Sequence, residues 1–183
     1  NRLVRLYSLS QPVTYADISR EILYGMIEDG SLKNLNRQHI IPGCPRVLLI
    51  GPYKPEELKM GSYLSPPLGV YRTASYLQAM GIPVDFYDVN LYGEERLKQM
   101  VRENNYAFIG VSTYHPTLEY DINLMEELHA ISPDYMLIMG GEGAVFHHEQ
   151  ILNKSLVSVI AMGWGEFVMT DMVMDYKTGV AVD

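Results

Sequence analysis

Two short stretches carry residues whose types and spacing point to ligand chemistry. "LIMGGEGAVF", Leu137 to Phe146, and "VIAMGWGEF", Val159 to Phe167, each run an apolar segment into closely set glycines, then a glutamate, then a helix-like turn. Gly140, Gly141, Gly163 and Gly165 strip side chains from two neighbouring turns, which lets something flat or bulky lie against backbone. A third stretch, "GVSTYHP", adds the hydroxyls of Ser112 and Thr113, which can serve a ligand or cap the helix that follows. Glu166 and Trp164 stand in the second glycine turn, with Trp164 read either as cover for a sheet edge or as a stacking surface.

Other groupings of reactive residues carry less. His147, His148, Glu149 and Glu142 resemble a metal cluster in composition, but adjacent histidines diverge by about 100° on a helix and cannot serve one ion as an i, i+4 pair does. His115 with Ser112 and Asp121 has the residue types of a triad without a nucleophile-elbow context around the serine. Cys44 is the only cysteine, so the chain has no internal disulfide and no all-cysteine metal site, and between Gly43 and Pro45 it reads as a packed thiol. The loop "GPYKPEELKMGSYLSPPLG" is longer than the two to six residues typical of a strand-to-helix connection. It offers Tyr53, Tyr63 and Leu64 as aromatic and apolar cover, and it has neither a G-x-G-x-x-G fingerprint nor a Walker lysine motif.

The elements that must position these residues follow one plan from Arg46 onward. Strands are expected at residues 46–51, 83–88, 106–112, 135–140 and 156–162, each separated from the next by a helical pattern. That alternation predicts an α/β fold, a Rossmann-like, five-stranded parallel sheet with helices on both faces. In such sheets ligands bind outside the carboxyl ends of the strands, where the glycine and Ser-Thr turns fall. Helix supports are ordinary: paired prolines before Leu68 and Gly81 after Met80, Glu94 and Glu95 in a first turn with Arg102 near a last, and Pro133 after a third. Leu68, Tyr71, Ala74 and Leu77 are expected to form the buried stripe of the first of these helices, and Leu118, Ile122, Met125 and Leu128 that of the third.

The first 43 residues depart from this plan. "TYADISREILYGMIEDG" has Thr14 as N-cap and Gly30 as stop, which predicts a helical appendage over 1–43 joined through the breaker-rich "IIPGCPR". The main domain is expected over 44–176, and 177–183 reads as the start of a connection, because "VAVD" forms a strand pattern without a partner. The charge is −8, from 14 basic and 22 acidic residues, and the basic ones are scattered, which argues against nucleic acid as a partner. With no apolar run near the roughly 20 residues that cross a bilayer, the expectation is a soluble, cytoplasmic chain with no membrane partner.

The ordered set of strand-end motifs resembles the cobalamin (B12)-binding domain of cobalamin-dependent radical SAM enzymes. The similarity covers about Arg46 to Asp183 and rests on the PPLG helix start, the D-x-N at the end of strand two, Ser112-Thr113, Gly140-Gly141 and G-x-G-E after strand five. It implies the flavodoxin strand order 2-1-3-4-5 and a slot for the nucleotide tail of cobalamin. Ser112, Thr113, Gly140 and Gly141 would line that slot, with Gly163, Trp164, Gly165 and Glu166 as its far wall. The strand-one loop lacks the histidine of the Asp-x-His-x-x-Gly motif, so the resemblance implies a cobalamin with displaced tail and no histidine beneath the metal. Tyr53, Tyr63 and Leu64 are then the candidates for its lower face. "DVNLYG", Asp88 to Gly93, has the same spacing with Asn90 in place of histidine but follows strand two, and reads as coincidence. The resemblance further implies a methyltransferase in which S-adenosylmethionine and a 4Fe-4S iron–sulfur cluster belong to a downstream radical SAM domain. A flavodoxin-like nucleotide-cofactor module and a non-catalytic interaction scaffold are the alternatives.

Overall fold

The computed structural model describes residues 40–53 and 67–179. The expected appendage helix, the terminal "VAVD", Tyr63 and Leu64 lie outside the described residues. Five strands, β1 (Val47–Ile50), β2 (Val84–Tyr87), β3 (Phe108–Ser112), β4 (Met136–Gly140) and β5 (Val159–Ala161), form one sheet in the order β2-β1-β3-β4-β5. All pairings are parallel. β1 is wholly buried, as a central strand covered on both faces must be, and its apolar run VLLI follows from that. The order reverses between β1 and β3, the switch point where such sheets open a crevice.

Seven α-helices connect and cover the described strands: α1 (Leu68–Ala79), α2 (Val89–Tyr92), α3 (Glu94–Glu103), α4 (Leu118–Ile131), α5 (Glu142–Phe146), α6 (His148–Lys154) and α7 (Gly165–Thr178). Alternate strand residues feed two separate cores. On one face Val47, Leu49, Phe108 and Ile138 pack under α1 and α7. On the other, Leu48, Ile50, Ile109, Val111, Leu137 and Met139 pack under α3 and α4. No helix among the described residues is long and apolar enough to cross a membrane.

The buried stripe of α1 differs from expectation. Val70, Thr73, Ala74 and Leu77 are buried, whereas Leu68 is 72% exposed and Tyr71 lies at the surface against Phe86, ring centroids 4.1 Å apart. A strict three-residue step falls about 60° behind the helical turn each time, so its members cannot share a face, whereas the i, i+3, i+4, i+7 set does. The same correction applies more mildly to α4. Met125 and Leu128 are buried as expected, but Asp121 and Leu124 complete the face, with Leu118 and Ile122 only partly covered.

Residues 88–93 form a structural unit. Asp88 caps α2 by accepting from the Asn90 amide at 3.0 Å, and the Asn90 side chain donates to the Pro52 carbonyl at 2.8 Å, tying the loop after β1 to the loop after β2.

Candidate functional site

The site is built by a size pattern on one face of the sheet. The side chains of β3 that face α1 and α7 run Phe108, Gly110, Ser112, and those of β4 run Ile138, Gly140. Register sets Ser112 beside Gly140 and Gly140 beside Ala161, so the carboxyl ends of three strands present a row of small residues. Helices α1 and α7 cannot close on that row, and a cavity of about 190 Å³ remains between them and the sheet. Leu49, Gly110, Ile138 and Ala161 form its floor; Val70, Arg72, Thr73 and Met169 form its walls. A closed apolar cavity of about 150 Å³ admits benzene. This one opens at the strand ends and has room for a flat bicyclic ring.

Of the residues singled out from sequence, Ser112, Gly140, Gly141, Gly163, Gly165 and Glu166 line this one cavity. The others lie elsewhere. Thr113 is fully buried on the opposite side, where its hydroxyl bonds the Tyr114 carbonyl at 3.2 Å. Trp164 is 39% exposed outside the cavity, with the Arg72 guanidinium 4.9 Å from its ring centre. Tyr53 packs against the α3 and α4 core and meets Tyr120 edge to face at 6.5 Å.

The glycines do two different jobs. A Cβ on Gly140 would make only ordinary contact, 3.4 Å to the Ala161 Cβ, so its bareness serves the open space. Gly141 has φ +88° and caps α5; a Cβ there would fall 2.6 Å from the Thr113 carbonyl oxygen and 2.9 Å from the Ser112 Oγ. Gly141 therefore lets the turns after β3 and β4 lie against each other, which holds the Ser112 hydroxyl at the cavity.

Glu166 and Arg72 give the cavity its polar end. Glu166 opens α7, is buried, and its Oε1 is ion-paired with Arg72 Nε. Sequence reasoning missed Arg72, Thr73 and Gly110. Gly110 had a signal, a glycine inside a strand run, which marks close approach of another backbone or a ligand. Arg72 and Thr73 had none, because a helical residue acquires its meaning only from the distant element packed on it.

Behind the strand ends, on the α4 side, Asp121 is fully buried and accepts a hydrogen bond from the Tyr53 amide at 2.7 Å. Burial pushes its carboxyl up to about 7; the Thr113 and Thr117 hydroxyls and the Tyr53 amide oppose that rise, although neither hydroxyl closes a full hydrogen bond on Oδ2. Asp121 thus fixes where the loop after β1 begins.

Neither discounted cluster assembles. His147 Nε2 lies 2.9 Å from His115 Nδ1 while His148 Nδ1 faces the Val145 carbonyl at 2.9 Å, so the adjacent histidines diverge. Among the described residues no three His, Cys, Asp or Glu side chains are placed to hold a metal ion. Ser112 and Asp121 lie on opposite sides of the sheet, which separates two members of the triad. Burial raises the Cys44 thiol above its ordinary value, as for a packed rather than nucleophilic sulfur.

The B12 binding domain family matches residues 62–173, more than half of the chain. Among solved structures, the chain is similar to the cobalamin-dependent S-adenosylmethionine radical enzyme OxsB, both with aqua-cobalamin and S-adenosylmethionine bound and with aqua-cobalamin alone, at a TM-score of 0.64 and 18% identity in each case. The apo, selenomethionine-labelled OxsB gives 0.54 and 16%. Each match covers 75% of this chain and 19% of OxsB, and at this identity the likeness is one of fold. A search of curated proteins finds no match. With a five-stranded parallel sheet, a tail-sized cavity at its carboxyl edge and a family match across both, the chain belongs to the B12-binding domain family.

Proposed function

We propose that this protein binds cobalamin with the nucleotide tail displaced into the cavity between α1, α7 and the sheet, as the cofactor domain of a cytoplasmic radical SAM methyltransferase. The observation that carries the reading is the row of small residues, Gly110, Ser112, Gly140 and Ala161, on one face of adjoining strands, because a tightly packed sheet has no other use for such a gap. The residues present fit the group. A side-chain-free floor suits a flat benzimidazole, and Ser112, Arg72 and Glu166 supply the few convergent polar groups that orient a ligand.

Bound cobalamin supplies a cobalt centre that can carry a methyl group. The chain's own part is to hold and orient it. The floor Leu49, Gly110 and Ile138 excludes water from the ring of the tail, while Ser112 offers a hydroxyl beside it. Residues 51–67 contain no histidine, so the loop after β1 places none beneath the corrin. Tyr53, Tyr63 and Leu64 on that loop, and Trp164 outside the cavity beside Arg72, are the further residues assigned to cofactor contact, whereas Thr113, fully buried on the other side, serves its own turn instead. The domain itself spans 44–176. S-adenosylmethionine and an iron–sulfur cluster would belong to a partner domain of the same enzyme, a reading supported by the fold of OxsB and by its much greater length.

The test is an anaerobic mixture with hydroxocobalamin, desalted, followed by a visible spectrum of the protein fraction and an electron paramagnetic resonance spectrum after one-electron reduction. Retained corrinoid without nitrogen splitting from an axial ligand is expected. Splitting from nitrogen would overturn the displaced, histidine-free state, and a colourless protein fraction from folded material would overturn cobalamin binding.

A further inference from the structure

The polar end of the cavity holds an incomplete bonding pattern. Glu166 is only 5% exposed, and while its Oε1 meets Arg72, its Oε2 is buried with no hydrogen-bond partner. Buried carboxylate oxygens are rarely left that way, since the loss of water is then uncompensated. Both residues line the cavity, so a donor arriving there would complete the pattern. Arg72 is held from two sides, by the ion pair with Glu166 and by the Trp164 ring. That fixes a planar cation at the wall, beside the N-terminus of the 14-residue helix α7, whose dipole also favours an anion.

A carboxylate only accepts hydrogen bonds, and a fixed guanidinium only donates them. The complementary ligand therefore presents a hydroxyl donor and an anionic oxygen close together, the chemistry of a sugar phosphate. A benzimidazole ring, whose free nitrogen is an acceptor, does not supply the donor. Building on the cobalamin reading above, we propose that the Arg72–Glu166 pair recognises the ribose phosphate of the displaced tail. Glu166 Oε2 accepts from a ribose hydroxyl and Arg72 faces the phosphate, so the protein selects corrinoids that carry a nucleotide loop over those that lack one.

The test compares hydroxocobalamin with diaquacobinamide, which has the corrin ring and no nucleotide, by titration of the visible spectrum. Wild-type protein is expected to bind cobalamin at least ~10-fold more tightly than cobinamide, and Glu166→Gln to weaken cobalamin by about 10-fold while leaving cobinamide within about twofold. Unchanged cobinamide binding also shows that the variant is folded. Equal loss of both corrinoids would make Glu166 a general support or a contact of the corrin amides, and no loss of either would make it idle; both results overturn the proposal. Should Glu166→Gln fail to fold, Arg72→Met, at a more exposed position, must reproduce the selective loss, and its failure to do so overturns the proposal equally. Wild-type protein that binds neither corrinoid contradicts cobalamin binding itself, a result separate from a lost preference.

Discussion

The two faces of the sheet are made from the same strands and end differently. Under α3 and α4, alternate residues read Ile50, Ile109, Val111 and Met139, all large and buried, and the layer is solid. Under α1 and α7, the residues between them read Leu49, Gly110, Ser112 and Gly140, and the layer is solid only as far as Phe108 and Ile138 before it opens. A strand's period of two lets one sequence specify both, so a binding slot can be cut in one face without thinning the other. Each face also buries one carboxylate with one oxygen engaged and the other unpartnered. Asp121, behind the solid face, holds the Tyr53 amide away from the cavity, whereas Glu166, at the open face, pairs with Arg72 and lines the cavity, where a ligand can reach it.

Substitutions should break this contrast in graded fashion. Ile109→Ala on the solid face removes a fully buried side chain and should cost about 2–5 kcal/mol in denaturant unfolding, while corrinoid affinity per folded molecule changes little. Gly141→Ala forces a side chain onto φ +88° and against the Thr113 carbonyl, for a loss of about 1–3 kcal/mol from backbone strain, and it should weaken corrinoid binding too, because the Ser112 turn must shift.

A smaller effect concerns Asp121. Its carboxyl stays protonated up to about 7 in the folded protein but ionises near 3.8 when unfolded, so the folded state binds the extra proton in between. Stability contributed by this group is present below pH 4 or so and is lost as pH rises through about 7. Melting curves of wild type and Asp121→Asn should therefore diverge in favour of the variant from about pH 4 to about pH 7 and run parallel above. A constant offset across that range would show that Asp121 is not the titrating group.

The fold was legible because its signals are local. Each strand is an apolar run bounded by turn residues, and the five expected spans contain the five observed strands. The glycine turns were legible for the same reason, although sequence could not say which glycine leaves open space and which lets two turns meet: Gly140 and Gly141 both line the cavity, but only Gly141 has another turn pressed against it. The burial stripe of α1 was misread because its spacing was matched to three residues rather than to the helical turn. Arg72 was invisible because its role is defined by Glu166, on a helix far along the chain. The α2 turn was passed over as a chance spacing, since an Asp cap with one helical turn has too few residues to show a period.

The central claim is that the small-residue row exists to admit a ligand, and Gly140→Leu tests it most directly. Its Cβ fits without disturbing backbone, so the rest of the side chain enters the cavity. The measurement is hydroxocobalamin retained after desalting, normalised to folded protein by a parallel melting curve. Loss of corrinoid binding by at least ~10-fold with an unchanged melting temperature is the predicted result. Retention equal to wild type would contradict it and leave the open face of the sheet without a purpose.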